Sequence, residues 1–230
     1  MKIVDRMTKR RAGLSWHLQR SLSWIPEGDL FGVEEIVLDE QLGPATPTSP
    51  EWHHEIEGRN LAVGGQYFSP QGDLPASIVL YVASLYRGIP KIYWLSPVIT
   101  LKLARTLAHE VGHHLIEQRG YIFERGERVK PREYEEELAN RYSFSVRKRM
   151  LRRWYYRVAD WLTRDLAGWH YVIGLCEWRD GRYEKAAARW ETTFCLDPNR
   201  ADADYWYYEA KKVLETKTQD STTVLLKNDL

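Results

Sequence analysis

The stretch Leu107-Ala108-His109-Glu110-Val111-Gly112-His113-His114-Leu115 constrains this 230-residue chain more than any other. It reads His-Glu-x-x-His. On a helix, residues four apart sit about 40° apart and roughly 6 Å along the axis, so His109 and His113 share a face. Two imidazoles placed like that can hold one tetrahedral Zn²⁺, with Glu110 on the flank facing a metal-bound water. The helix is signalled independently. Ser96-Pro97 supplies an N-cap and a proline at the first helical position, where a missing N–H costs nothing. Leu101, Ala104, Leu107, Ala108, Val111 and Leu115 recur at helical spacing as an apolar back, with the histidines and Glu110 mainly opposite. Gly112 permits close backbone approach, and Gly120 ends the helix after about Gln118. His-Glu-x-x-His arises by chance; this context lifts the segment above chance.

Composition narrows the setting. There are 33 Lys+Arg against 32 Asp+Glu, so no overall field draws the chain to nucleic acid or membrane. Cys176 and Cys195 are too few for a secreted disulfide framework and are expected as small buried residues. The basic N-terminus has no apolar stretch behind it, and the longest apolar run, Ile78 to Ala83, is far short of a membrane span. A cytoplasmic protein is expected. Six of the 10 tryptophans fall between Trp154 and Trp206, which predicts a second packing unit in the C-terminal third.

Residues 1–12 are basic and expected to fray. Leu14 to Trp24 predicts a short helix stopped at Pro26, Val33 to Leu38 a strand, and Gly43 to Pro50 a loop. Asn60 to Phe68 and Ser77 to Ala83 predict two strands joined by Ser69-Pro70-Gln71-Gly72-Asp73. The second is apolar on both faces and, if its edge is open, could take an extended peptide. Pro131 starts another helix through Tyr134, Leu138, Tyr142 and Val146, reaching about Arg164 with or without a break. From Arg141 to Arg164 eight basic residues stand against Asp160. A solvated helix face, with arginines lying along aromatic side chains, is preferred there over a nucleic-acid or membrane surface.

Two histidines need a third protein ligand. A pattern continuing as Gly-x-x-His is absent, because Ile116 and Arg119 hold those positions. The next helix offers Glu133, Glu135, Glu136 and Glu137. Glu136, Ala139, Asn140 and Ser143 form one stripe of ligand-capable and small residues suited to close packing on the metal helix. Glu135 projects among Leu138, Ala139, Tyr142 and Val146. Asn140 stands four residues after Glu136, placed to hydrogen-bond a ligand. Glu136 is preferred and Glu135 is the reserve. His114 and Tyr142 are unranked candidates for an oxyanion donor.

With these residues in place, the sequence resembles the glutamate-ligand zincins, and among them the ImmA/IrrE-type metallo-endopeptidases. Leu107–Leu115 looks like that family's metal helix, and Glu136-Glu137-Leu138-Ala139-Asn140-Arg141-Tyr142-Ser143 looks like its E-x-E-A-N-x-F-A segment. Leu138, Tyr142 and Ser143 depart from that pattern, while the first glutamate, the alanine and the asparagine are kept. The resemblance covers roughly Leu30 to Val146. It implies a compact α+β zincin fold and, for some members, cleavage of a DNA-bound repressor.

Farther on, Ile173-Gly174, Gly181, Tyr183, Ala186, Trp190 and Pro198 reproduce the spacing of a tetratricopeptide repeat, two antiparallel helices over Ala167 to Arg200. One repeat cannot bury its own faces, so Ala203 to Leu214 is expected as a capping helix and Trp154 to Leu166 as the other cover. The tail from Thr216 is polar and expected to be disordered.

The expectation is therefore an α+β chain. A zincin-like domain at 1–150, with a short mixed or antiparallel sheet and the His-Glu-x-x-His helix, precedes an all-α tetratricopeptide-like hairpin at 151–216 and a tail at 217–230. The expected activity is zinc-dependent hydrolysis of a protein substrate, with His109, His113 and Glu136 on Zn²⁺, Asn140 behind them and Glu110 as general base. The alternative is a catalytically silent scaffold whose repeat binds a protein partner, although a scaffold has no use for Glu110. Neither direct nucleic-acid binding nor a membrane is expected.

Overall fold

A computed structural model of the chain describes residues 1–8, 13–40, 64–71, 75–94, 96–120, 123–124, 127–128, 132–197, 203 and 205–216. The expected loop at Gly43 to Pro50, the start of the strand expected from Asn60, Gly72-Asp73, Pro131, Pro198, the Glu133 side chain and the tail from 217 lie outside the described residues. The chain has both helices and a mixed sheet, and it divides into two compact units. One is drawn from residues 1–44 and 62–162, and the other contains 163–230.

In the first unit, β1 (Lys2–Asp5), β2 (Val33–Asp39), β3 (Gly65–Phe68) and β4 (Ala76–Tyr81) form a sheet ordered β1-β2-β4-β3. The first two and β4 run parallel, while β3 is antiparallel to β4. Ile36, Leu38, Ile78 and Leu80 are buried on it. Three results differ from the sequence reading. Lys2–Asp5 is paired rather than frayed: its side chains are mostly exposed, so no apolar alternation marks it, and the ladder to β2 alone makes it a strand. The strand expected to reach Ala83 stops at Tyr81, where α2 (Val82–Tyr86) begins. Finally, β4 is bonded on both sides, so among the described residues the sheet edges lie at β1 and β3 and not along Ile78 to Ala83.

Four further helices complete the layers: α1 (Leu14–Leu22), α3 (Pro97–Gln118), α4 (Arg132–Met150) and the start of α5 (Trp154–Arg179). The sequence-predicted bounds of α3 hold. Ser96 Oγ accepts from the Val98 amide at 3.2 Å, Pro97 opens the helix, and Gly120 follows its end at φ +66. Leu103, Ala104, Leu107, Ala108 and Val111 are inaccessible to solvent. One side of α3 meets β3 and β4, another α1, and another α4. His17 of α1 bonds Thr100 Oγ1 at 2.7 Å and the Trp94 carbonyl at 3.0 Å, a core histidine with both nitrogens satisfied. Against α4 the approach is close, because a Cβ on Gly112 would lie 2.7 Å from Ala139 Cα. Ser143 Oγ donates to the Arg105 carbonyl across the same seam at 2.8 Å.

The start of α5 belongs to this unit for a physical reason. Arg147 on α4 grips Asp160 on α5 with two buried hydrogen bonds of 2.9 and 2.6 Å. Tyr156 also packs edge-on to Trp24, with ring centroids 5.7 Å apart.

In the second unit α5 turns at Gly181, φ +74, into α6 (Tyr183–Leu196), and residues 205–216 are helical. Trp190 is fully buried where Gly174 lacks a side chain; a Cβ there would lie 2.5 Å from its ring. Trp206 stacks on Trp190 with centroids 5.8 Å apart, and Ala186, Ala203, Tyr207 and Ala210 close the core. The cysteine expectation fails. Cys176 is exposed, on the same stripe of α5 as exposed Trp169 and Val172, and Cys195 is half-buried. Among the described residues no helix is long and apolar enough to cross a membrane.

Candidate metal centre

Because α3 presents residues four apart on one face, His109 and His113 point together, and their Nε2 atoms lie 3.1 Å apart. Across the seam α4 brings Glu136. Its Oε2 is 3.3 Å from His109 Nε2, and its Oε1 is 3.6 Å from His113 Nε2. Ligands about 2.0–2.1 Å from one tetrahedral Zn²⁺ lie about 3.3 Å from each other. The two imidazole nitrogens and the Glu136 carboxylate therefore stand close enough together to share one ion, with one ligand atom from each residue within 4.8 Å of the others. Among the described residues this is the only group of three or more His, Cys, Asp or Glu close enough to share an ion.

Each imidazole is held from behind. Glu135 Oε1 lies 2.9 Å from His113 Nδ1. A carboxylate there keeps the proton on Nδ1 and leaves the Nε2 lone pair free to point at the centre. Asn140, expected to hydrogen-bond a ligand, contributes a side-chain hydrogen bond to His109. Burial works against a charged His109, but the Glu136 hydrogen bond, the charges of Glu110 and Glu136, and Asn140 outweigh it, so its pKa is raised. The same negative field attracts a divalent cation.

Glu110 is buried, on the side of α3 that meets the sheet. Its carboxylate accepts the backbone N–H of Tyr67 on β3. A Cβ on Gly65 would sit 3.2 Å from Glu110 Oε1, so the strand passes as close as a side chain-free backbone allows. Burial raises the Glu110 pKa; His109, His113 and the Tyr67 amide oppose that, Glu136 adds to it, and the net shift is upward.

The two candidate oxyanion donors point elsewhere. His114 is buried, with Nδ1 3.1 Å from the Tyr67 hydroxyl and Nε2 2.8 Å from the Phe31 carbonyl. Tyr142 donates to Asp29 Oδ2 at 2.5 Å. Tyr67 itself donates to Glu117 at 2.6 Å, and burial with that hydrogen bond raises its pKa, so it keeps its proton. The contributions of Glu135 and of the Tyr67 amide were not anticipated. Gly64-Gly65 ahead of Tyr67 was the available sign, since glycine within a strand marks close approach by another group.

The Gly112–Ala139 contact sets how far Glu136 stands from the histidines. Gly112→Ala would gain about 1 kcal/mol of helix propensity but force α4 outward at an overpacking cost of about 1–3 kcal/mol. Stability is expected to change little, while zinc affinity falls by about tenfold or more, the loss typical of a mispositioned ligand. Chelator competition alongside thermal unfolding checks this; unchanged affinity would mean that α4 adjusts without moving Glu136.

Compared with known protein families, curated proteins and solved structures, the chain shows no significant match.

Proposed function

We propose that this chain is a zinc-dependent metalloendopeptidase of the glutamate-ligand zincin type that cleaves a protein substrate. The observation that carries the reading is the convergence, from two helices, of His109 Nε2 and His113 Nε2, 3.1 Å apart, with the Glu136 carboxylate, whose Oε2 is 3.3 Å from the first and Oε1 3.6 Å from the second. His109, His113 and Glu136 would hold the ion, with Asn140 and Glu135 orienting the two imidazoles. Zn²⁺ in a three-ligand site polarises a carbonyl and lowers the pKa of a coordinated water towards about 7. Glu110, with its pKa raised and its carboxylate fixed by the Tyr67 amide, would take the proton from the attacking water and deliver it to the leaving amine. The outer edge of β3 runs past Glu110, so an extended substrate pairing there by main-chain bonds would reach the centre. This replaces the pairing expected along Ile78 to Ala83.

The likeness of Glu136–Ser143 to the ImmA/IrrE-type segment supports a regulatory role, cleavage of a repressor or another cytoplasmic partner protein. The helical hairpin of the second unit, with its tetratricopeptide-like spacing, would recruit that protein. Metal analysis of the purified chain is expected to find about one zinc per molecule, as a three-ligand site requires. Cleavage of an unstructured protein such as casein should stop on chelation and return with Zn²⁺. His113→Ala should lose both metal and cleavage. Cleavage that survives in His113→Ala would overturn the reading.

A further inference from the structure

Helix α5 runs unbroken from Trp154 to Arg179 and holds apolar side chains in solvent along its length. Trp154, Val158, Trp161, Trp169 and Val172 keep 69, 46, 62, 65 and 54% of their surface exposed, and Cys176 is exposed as well. Surface apolar residues are ordinary when scattered singly. These are not scattered. They stand eleven, seven and four residues before Asp165 and four, seven and eleven residues after it. With exposed Asp165 counted, the average step is about 3.7 residues, so the stripe follows one helix face for about 33 Å and drifts only about 40° around it. A solvated face with arginines lying along the rings was the sequence expectation. It fails here, because Arg157 and Arg164 leave the three tryptophans about two-thirds exposed.

A two-fold interface needs a patch that complements itself, and a pattern that reads the same in both directions does so. We propose that α5 is a homodimer interface, with the two copies packed antiparallel about an axis through Asp165. Trp161 then meets Trp169 of the second copy, Val158 meets Val172, and Trp154 covers the smaller Cys176. Parallel packing would set each residue against its own copy, crowding tryptophan on tryptophan while leaving a gap between the two cysteines, and would align the helix dipoles unfavourably. Asp165 meets its own copy at the axis, where exposed Arg164 of each chain adjoins it and offsets the like charge. The area agrees. Covering three tryptophans that are about two-thirds exposed and two valines that are about half exposed buries roughly 600 Å² per copy, or about 1,200 Å² in all. That reaches the lower end of stable interfaces, about 1,200–2,000 Å², before flanking side chains are counted. The proposal does not depend on the metal centre.

Sedimentation equilibrium of the full chain is expected to show a dimer at about 100 µM, with a Kd in the micromolar range for an interface of this size. Trp161→Ala with Trp169→Ala changes only exposed side chains and should leave thermal unfolding of the monomer unaltered. It is expected to raise Kd about 100-fold or more, since each truncation acts twice across the axis. Crosslinking reads the orientation. In a Cys195→Ser background, Trp154→Cys is expected to form a disulfide with Cys176 of the second copy on mild oxidation, while the background chain stays uncrosslinked. A chain that remains monomeric at about 100 µM, whatever else covers the stripe, overturns the proposal. So does a dimer whose Kd is unchanged by the double tryptophan substitution, or a background chain that crosslinks through Cys176 alone.

Discussion

Glu110→Gln is expected to keep its zinc and its fold while peptide cleavage falls by about 10²–10⁴-fold, the usual contribution of a positioned general base. The substitution is nearly isosteric. A glutamine carbonyl can still accept the Tyr67 amide, so the seat between α3 and β3 stays filled. A buried amide is also easier to accommodate than a buried carboxylate, so stability should not suffer. What is lost is the ability to take and return a proton. Initial rates on a protein substrate, with zinc verified in the same sample, measure it. If Glu110→Gln retained more than about a tenth of the parent rate, Glu110 would not be the proton carrier, because a loss that small lies below the general-base range.

The second large effect separates three adjacent glutamates. Glu136→Gln is expected to weaken zinc binding more than about 100-fold, beyond the range for residues that act behind a ligand. Glu135→Gln removes the acceptor at His113 Nδ1 and should cost about 10–100-fold, because it frees the imidazole to rotate and lowers its basicity. Glu137→Gln should cost nothing: that side chain pairs with Arg141 on the exposed face of α4 at 2.5 Å. Competition against a chromophoric chelator at neutral pH ranks the three. A larger loss for Glu135→Gln than for Glu136→Gln would exchange their roles.

These glutamates mark where sequence reasoning stops. Glu135 and Glu136 are neighbours on one helix, about 100° apart around its axis. Which of them meets the Nε2 atoms depends on the rotation and distance of α4, and these are set by Ala139 packing into the space left by Gly112. The small-residue stripe pointed to Glu136, and in the structure that stripe lies on the seam, with Ser143 bonded to Arg105. Nothing in the pattern showed that Glu135 would reach His113 from behind.

The sequence by itself determined what local chemistry controls. It marked the start of α3 at Ser96-Pro97 and its end before Gly120, the shared face of His109 and His113, and the turn at Gly181. Each depends on residues within a turn or two of one another, where periodicity, capping and glycine conformation act directly. Tertiary structure alone decided the rest. β1 became a strand because β2 offered a ladder; β4 lost its free edge because β3 paired with it from the side opposite β2. His114 and Tyr142 point away from the His109–His113 face because Phe31 and Asp29, far away in the chain, hold them. Cys176 was left exposed by the rotation of α5. Such pairings bring together groups whose separation in sequence carries no periodic mark, and they form only when buried polar atoms find the partners that the folded chain supplies.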